Sequence, residues 1–277
     1  MASFVKSGKK IVAIGRNYVQ HAQELGNSVP KREPIMFLKP TSSYTTRDEV
    51  HLPRGILVHH EVELGLVMKA GKDITQENAL DYVAGYALAI DYTGRNIQNE
   101  AQSKGLPWSA AKGFDDACPI GEFIPKSKIK DPHAVKIWLK VREHVSSPCL
   151  RRITQNLLTR GAEFTFQING ETKQSDSTEL MIYKIPRLIE HCSSIMSFED
   201  GDLLLTGTPA GVGPVKEGDE IEAGTSQVPN ECCRLVAYSK SPTLRRPGLV
   251  QDGELVSSIK HLVRTRKGGY LFKPETK

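Results

Sequence analysis

The sequence lacks any apolar run long enough to cross a bilayer and contains no CxxC pair of cysteines. Its five cysteines are odd in number, so their spacing indicates neither a disulfide framework nor a zinc site, and a reducing compartment fits them better. The basic residues that give a net charge of +5 are not gathered into one stripe. These absences exclude a transmembrane helix and argue against a nucleic-acid surface. We therefore expect a globular protein with neither a membrane nor a nucleic acid as its partner.

Short apolar segments separated by Gly, Pro and Asp dominate the chain and indicate many strands with few helices. The strand candidates are 11–15, 35–38, 62–68, 82–90, 137–141 and 203–205. The helix candidates are 18–25, 77–80 and 179–192, the last interrupted by Pro186. This pattern predicts a mostly β domain of the α+β class, built on a mixed sheet and spanning residues 1–277 as a single unit.

Two glutamates, Glu61 and Glu63, alternate with Val62 and Leu64 in one of these predicted strands. Side chains alternate between the two faces of a strand, so the two carboxylates share a face while the apolar pair enters the core. Like charges this close repel, and a cation between them offsets that cost. A solvated strand face remains the alternative interpretation of the glutamate pair by itself.

Asp91 follows the apolar segment 83–90, at the end of what should be a buried strand. A buried carboxylate requires a partner, and Asp91 together with Glu61 and Glu63 would form a hard oxygen site suited to Mg²⁺, Mn²⁺ or Ca²⁺. His59 shares the same face by alternation. A transition-metal site that includes this histidine, as in an oxygenase, therefore remains an alternative.

Three further side chains are candidates for acid–base and electrostatic roles. His21 and Glu24 lie three residues apart in a predicted helix, so Glu24 could orient the imidazole as a general base, although an exposed surface pair is the alternative. Lys112 lies in a small and aromatic context and could supply fixed positive charge to an enolate or a carboxylate, unless it is an ordinary surface lysine. Residues that could contact a substrate are Arg95 and Gln98, which follow Asp91 closely, and Thr208 in a turn-rich segment.

The order and spacing of these segments resemble the fumarylacetoacetate hydrolase (FAH) family over nearly the whole chain. The matching segments are Gly15-Arg16-Asn17-Tyr18, Phe37-Leu38-Lys39-Pro40, His60-Glu61-Val62-Glu63-Leu64-Gly65, Gly105-Leu106-Pro107-Trp108 and Thr206-Gly207-Thr208-Pro209. Asn96 is a small departure, because many relatives carry aspartate at this position. The resemblance implies an FAH-type mixed β-roll or sandwich with few short helices, assembled as a homodimer.

The resemblance also implies a site and a reaction class. It places Mg²⁺ (with Mn²⁺ or Ca²⁺ as alternatives) on Glu61, Glu63 and Asp91, and a His21–Glu24 dyad under a short mobile lid. Lys112 would be catalytic, and the implied substrate contacts are Arg16, Arg95, Gln98 and Thr208. The expected substrate is a small 2-oxo acid that reacts through a metal-stabilised enolate by acylpyruvate hydrolysis, oxaloacetate decarboxylation or keto–enol tautomerisation. The implied location is mitochondrial, with the cytoplasm as the alternative.

Two basic segments do not match the family pattern, at about 142–168 and 225–250. We interpret them as retained introns translated in frame or as lineage-specific insertions. Within the first, residues 163–168 alternate polar with apolar and could compete with 137–141 for the strand that enters the next hairpin. A non-catalytic, misfolded splice product is therefore a further alternative.

Overall fold

The structure is a computed structural model that describes residues 4–143, 170–227, 255–267 and 271. No helix among these residues is both long and apolar enough to span a membrane. Strands outnumber helices, which confirms the predicted mostly β architecture of the α+β class. The metal candidates lie on or next to two of these strands.

The strands of the described residues vary from two to eleven residues in length. They are β1 (Ile11–Gly15), β2 (Ile35–Lys39), β3 (Tyr44–Thr45), β4 (Glu49–Leu52), β5 (Val58–His60), β6 (Val62–Met68), β7 (Val83–Ile90), β8 (Thr93–Gly94), β9 (Cys118–Pro119), β10 (Ile124–Pro125), β11 (Val135–Arg142), β12 (Glu171–Ser177), β13 (Leu203–Leu205), β14 (Gly213–Pro214), β15 (Glu220–Gln227) and β16 (Leu255–Thr265).

The α-helices are α1 (Phe4–Ser7), α2 (Val19–Glu24), α3 (Arg95–Ser103), α4 (Ser109–Lys112) and α5 (Ile185–Ile195), and single 3₁₀ turns lie between other elements. The helix predicted at 179–192 begins later than expected, because Pro186 occupies its first turn. Proline has no N–H to donate and favours this position over a helix interior. The segment predicted as a helix at 77–80 is instead a 3₁₀ turn at Ala79–Tyr82.

A six-stranded sheet in the order β10-β7-β6-β13-β1-β2 positions the carboxylates of the site. Every residue of β6 is buried, as is nearly all of β7, because both faces of these central strands are covered. The two strands are antiparallel, with Val62 opposite Ile90 and Glu63 opposite Ala89. This register brings the start of β6 beside the end of β7, where Asp91 follows.

A second sheet, in the order β12-β11-β15-β16-β4, packs its buried residues into the same apolar core. Strand β11 pairs antiparallel with β12, with Val141 opposite Glu171, as the predicted hairpin requires. In the described part of the chain, β11 is therefore the strand that pairs with β12. The segment 163–168, which could compete for that place, lies outside the described residues. Of the two unmatched segments, residues 142–143 and 225–227 are described, and the remainder of each lies outside the description.

Candidate active site

Three carboxylates converge where β6 begins and β7 ends. Glu61 lies just before β6, Glu63 within it and Asp91 just after β7, and one ligand oxygen from each lies within 4.8 Å of the others. The Asp91 backbone N–H donates to the Glu61 carbonyl at 2.7 Å, which fixes the two chain segments together. All three side chains are buried. The predicted convergence of these residues is therefore present in the structure, and their oxygen-only donor set fits a hard divalent cation.

Lys112, the last residue of α4, lies against this triad. Its Nζ donates to Glu61 Oε2 at 3.0 Å, to Asp91 Oδ2 at 2.5 Å and to Thr93 Oγ1 at 2.7 Å. The ammonium also lies 4.6 Å from the centre of the Phe37 ring. Burial alone would lower the pKa of Lys112, but Asp91 and Glu61 raise it above its ordinary value. Lys112 is thus a buried side chain in contact with the triad rather than the ordinary surface lysine that the sequence left as the alternative.

Arg95 and Gln98 reach the same place from the first turn of α3. Arg95 Nη2 donates to Glu61 Oε1 at 2.5 Å, while Arg95 Nη1 donates to Gln98 Oε1 at 2.5 Å. Both side chains are buried and line the cavity that borders Glu61 and Glu63. The structure therefore brings together these two predicted substrate contacts and the metal candidates.

Lys39 completes the set of cations, and the sequence analysis assigned no role to it. It is the last residue of β2 and is 1% exposed, and its Nζ donates to Asp91 Oδ1 at 2.6 Å and to the Tyr92 carbonyl at 3.3 Å. Its signal in the sequence is weak: a lysine that ends the apolar segment 35–38 just before Pro40. A lysine at that place usually marks a strand end rather than a buried partner for a carboxylate.

The electrostatics of the triad are uneven. Burial would raise the pKa of Glu61, but Lys112 and Arg95 hold it well below its ordinary value. Burial and the neighbouring Asp91 raise the pKa of Glu63 well above its ordinary value. Glu63 Oε2 accepts one hydrogen bond, from the Gly207 N–H at 2.7 Å. A divalent cation between the carboxylates would favour the ionised form of Glu63, so these residues fit a metal ion on electrostatic as well as chemical grounds.

The predicted dyad lies on α2. His21 is buried and lines the cavity, and its Nδ1 lies 3.8 Å from Glu24 Oε2, too far for a hydrogen bond. Both Glu24 oxygens accept from the Gly211 N–H, at 3.2 and 3.1 Å. Burial lowers the pKa of His21 despite the opposing effect of Glu61, so the imidazole is neutral near physiological pH. A neutral imidazole is the form that a general base requires.

Thr208 lines the cavity, but its hydroxyl already has partners. The Thr208 Oγ1 donates to the Val62 carbonyl at 2.8 Å and accepts from Gln174 Nε2 at 2.8 Å. Gln174 is fully buried on β12, and its Oε1 accepts from the Val62 N–H and lies 3.0 Å from His60 Nδ1. Thr208 would have to give up its bond to Val62 before its hydroxyl could donate to a substrate. Nothing in the polar sequence around Gln174 indicated that it connects these elements.

Arg16 follows β1 directly and also lines the cavity. Its backbone φ is 59°, in the left-handed region that is costly for a residue with a Cβ atom. Burial lowers the pKa of its guanidinium below the ordinary value for arginine. The structure therefore places Arg16 in the same cavity as His21, Lys112 and Thr208.

His59 does not join the carboxylates. The only set of three or more ligand-type residues found close together in the described ranges is Glu61, Glu63 and Asp91. His59 lies on β5, does not line the cavity, and burial lowers its pKa to about 4. The alternation that seemed to put His59 on the face of Glu61 fails because β5 ends at His60, before β6 begins.

Curated relatives are similar to this chain over most of their own length. One relative, "Oxaloacetate decarboxylase, mitochondrial" from Dictyostelium discoideum, is 47% identical over 228 residues, which cover 81% of this chain and 92% of that protein. Another, "Oxaloacetate tautomerase FAHD1, mitochondrial" from Homo sapiens, is 43% identical over 227 residues and covers 81% and 90%.

Solved structures of similar fold support the same relationship. A yeast fumarylacetoacetate hydrolase family protein, ynq8, is 28% identical with a TM-score of 0.73, covering 99% of this chain and 100% of its own. The fumarylpyruvate hydrolase from Pseudomonas aeruginosa, in complex with Mn²⁺ and pyruvate, is 26% identical with a TM-score of 0.67, covering 94% and 91%.

A family model described as "Fumarylacetoacetate (FAA) hydrolase C-terminal" matches residues 10–236. This match includes every candidate site residue described above. The chain therefore belongs to the fumarylacetoacetate hydrolase family of enzymes.

Proposed function

We propose that this chain is a Mg²⁺-dependent enzyme that acts on small 2-oxo acids at the carbon next to the keto group. The observation that carries the proposal is the buried triad, whose ligand oxygens lie within 4.8 Å of one another and in contact with Lys112. The names of the relatives, an oxaloacetate decarboxylase and an oxaloacetate tautomerase, and of a fumarylpyruvate hydrolase support this substrate class. Three reactions fit one such site: acylpyruvate hydrolysis, oxaloacetate decarboxylation and tautomerisation.

Glu61, Glu63 and Asp91 are the residues that would hold the metal. The Pseudomonas aeruginosa structure contains Mn²⁺, and we propose Mg²⁺ here because all three side chains offer hard carboxylate oxygens, the ligands that this ion prefers. When bound, Mg²⁺ would supply Lewis-acid stabilisation of the negative charge that develops on the substrate. The protein itself supplies the remaining steps.

Lys112 is fixed in place by Glu61, Asp91 and Thr93 before any substrate arrives. Its positive charge would stabilise an enolate without reorganisation during the reaction. Arg95 and Gln98 would orient the carboxylate of the 2-oxo acid from their side of the cavity. These residues serve all three reactions, since each develops an enolate: that of pyruvate in the hydrolysis and the decarboxylation, and that of oxaloacetate itself in the tautomerisation.

His21 would act as the base. Because Nδ1 faces Glu24, Nε2 is the nitrogen that would accept a proton. For an acylpyruvate, this proton would come from the water that attacks the distal carbonyl, which breaks the C–C bond. For oxaloacetate, the enolate forms by loss of CO₂ without water attack. Tautomerisation only moves a proton from carbon to the keto oxygen.

Location, assembly and domain organisation complete the proposal. The relatives are named as mitochondrial, and we propose that location for this chain, with the cytoplasm as the alternative. We also propose a homodimer and a single catalytic domain over 1–277 with inserted segments at about 142–168 and 225–250. A spliced transcript that lacks both segments would identify them as introns, whereas transcripts that always retain both would argue against that origin.

A substrate panel tests the proposed function. Purified protein with Mg²⁺ is assayed on oxaloacetate, acetylpyruvate and fumarylpyruvate, beside Glu61→Ala and the matched surface variant Glu77→Ala, which removes an exposed carboxylate. We expect turnover of at least one substrate that disappears with a chelator and in Glu61→Ala but persists in Glu77→Ala. A folded wild-type protein that turns over none of the three would contradict the proposal, and a melting curve identifies a misfolded product.

A further inference from the structure

Gln174 is a buried polar residue to which the proposed chemistry gives no role. It lies on β12 in the second sheet, is fully buried and does not line the cavity. Its Oε1 lies 3.0 Å from the Val62 backbone nitrogen and 3.0 Å from His60 Nδ1. Its Nε2 lies 2.8 Å from Thr208 Oγ1 and 2.9 Å from the Pro209 carbonyl oxygen. Every hydrogen-bonding position of the amide is therefore occupied.

Two of these partners have a fixed role and determine how the amide is oriented. The Val62 N–H can only donate, so it faces the amide oxygen, and the Pro209 carbonyl can only accept, so it faces the amide nitrogen. His60 Nδ1 must then donate to the amide oxygen. Thr208 must accept from the amide nitrogen, so its own hydroxyl proton goes to the Val62 carbonyl at 2.8 Å. Gln174 thus fixes the direction of the Thr208 hydroxyl.

The contacts with Val62 act on the metal candidates, because Val62 lies between Glu61 and Glu63 in the chain. Gln174 accepts from the N–H of Val62, and Thr208 donates to its carbonyl. These two bonds restrict rotation of the backbone that carries both carboxylates. Carboxylates must keep one spacing to bind an ion, and partners outside the ligand set commonly change metal affinity by about 10- to 100-fold.

The turn after β13 contacts both ends of the cavity. The Gly207 N–H donates to Glu63 Oε2 at 2.7 Å. The Gly211 N–H donates to the two carboxylate oxygens of Glu24, at 3.2 and 3.1 Å. Strand β12 lies so close to this turn that a Cβ atom on Gly211 would be 1.9 Å from a backbone carbonyl oxygen of the strand. Gln174 bonds the middle of the same turn, between its two donors.

From these contacts we infer that Gln174 is a positioning residue, which fixes Glu63 and the turn after β13 in the geometry that binds the metal ion. It acts through Val62 and Thr208 and lies outside the cavity lining itself. The inference rests on the proposed function, because it assumes that the triad holds the ion. Without this amide, the Glu63 carboxylate would lose affinity for the ion although every ligand was still present.

Calorimetric titration of Mg²⁺ in the absence of substrate tests this role. Gln174→Met keeps an unbranched side chain of similar length and removes the amide, so the Val62 N–H and the Pro209 carbonyl lose their partner. We expect Mg²⁺ to bind about 10- to 100-fold more weakly than in the wild type. At saturating Mg²⁺, kcat for the substrate that the wild type turns over fastest should also fall.

Thr178→Val is the matched control, because Thr178 directly follows β12, is fully buried and does not line the cavity. Its hydroxyl likewise bonds one backbone N–H, that of Val135, and one carbonyl, that of Pro132. Both variants should lower the melting temperature, since each leaves two buried backbone groups without a partner. Only Gln174→Met should weaken Mg²⁺ binding. A folded Gln174→Met protein with the Mg²⁺ affinity of the wild type, or an equal loss in Thr178→Val, would overturn the inference and leave the proposed function intact.

Thr208→Val replaces Gln174→Met in this test if the latter does not fold. It keeps the shape of the side chain and removes only the hydroxyl between Gln174 and the Val62 carbonyl. Without substrate, we expect Mg²⁺ to bind about fivefold more weakly, the equivalent of one hydrogen bond, and an unchanged affinity would overturn the inference. A wild-type protein that binds no Mg²⁺ and turns over no substrate of the panel would instead overturn the proposed function, and the inference with it.

Discussion

The two ends of the cavity are built differently. At the triad, buried strands hold the carboxylates, and Lys112 alone makes three hydrogen bonds to its surroundings. At the dyad, a helix of six residues carries His21 and Glu24, whose side chains lie 3.8 Å apart, and the Glu24 side chain is 34% exposed. The first end, here called the rigid end, is held by buried strands and paired charges, whereas at the second the Glu24 carboxylate accepts from the Gly211 N–H and makes no hydrogen bond to His21.

This difference indicates how the chemistry is divided. A fixed set of charges can stabilise an enolate without rearrangement, and it is the part that all three reactions share. A base that makes no hydrogen bond to its glutamate before the substrate arrives can form that bond to a different extent with different substrates. The triad would therefore set whether the enzyme works, and the dyad would set which of the reactions is fast.

His21→Ala should produce the largest effect on this division. We expect acylpyruvate hydrolysis to fall about 10²- to 10⁴-fold, since the reaction loses its general base, while oxaloacetate decarboxylation falls less than about tenfold because it needs no attacking water. Steady-state kcat on both substrates measures the split. His191→Ala, on α5 and outside the cavity lining, serves as the control. Equal losses in the two reactions would show that the ends of the cavity do not act separately.

Lys39→Met tests whether the positive side chains around the triad stabilise its buried carboxylates. The variant leaves buried Asp91 with one cation fewer, so the free energy of unfolding should fall by about 3 kcal/mol, with Mg²⁺ raising its melting temperature more than that of the wild type. Denaturant titrations measure the first effect, and thermal melts with and without Mg²⁺ measure the second. Lys104→Met removes a half-exposed lysine near Glu100 and should cost less than about 0.5 kcal/mol. A Lys39→Met protein as stable as the wild type would mean that Lys39 is not needed to offset the buried charge of Asp91.

The pH dependence of stability should show a smaller effect, from a buried histidine on β16. His261 lies 2.6 Å through Nε2 from the Tyr92 hydroxyl, and burial lowers its pKa to about 4. The unfolded chain binds a proton at this residue near pH 6.5, before the folded protein does, so stability falls as the pH drops through the window between these values.

Between pH 7 and pH 5 this group should cost about 2 kcal/mol of unfolding free energy. His261→Gln, which cannot be protonated, should show a shallower decline when unfolding by urea is followed at both pH values. A decline of equal slope in the variant would remove His261 as a cause. The measurement sharpens the comparison, because Tyr92 adjoins Asp91 and thus connects the second sheet to the rigid end of the cavity.

Much of the rigid end was predictable from the sequence. Strand alternation placed Glu61 and Glu63 on one face, and the apolar segment before Asp91 placed that residue at a buried strand end. Both inferences depend on local periodicity, which a sequence displays directly. The family resemblance then implied roles for Lys112 and the dyad, which spacing by itself left open and which remain predictions.

The unpredicted features depend on pairing between distant segments. Lys39 ends β2 and Asp91 follows β7, so their contact joins segments 52 residues apart that are not neighbours in the sheet. Gln174 reaches Thr208 because β12 packs beside the turn after β13. Neither residue has a local pattern that marks it. The start of α5 at Ile185 differs from the predicted start at residue 179 for another reason. In a sequence, a proline in the first turn of a helix cannot be told from a proline that interrupts one.

Calorimetric titration of Mg²⁺ into the purified protein tests the metal site most directly, because it needs no assumption about the substrate. The expected result is one ion bound per chain in the wild type and binding at least about 100-fold weaker in Asp91→Asn, with circular dichroism confirming that the variant is folded. A wild-type protein that binds no Mg²⁺, or an Asp91→Asn protein that binds it equally well, would contradict the assignment of Glu61, Glu63 and Asp91 as the metal ligands.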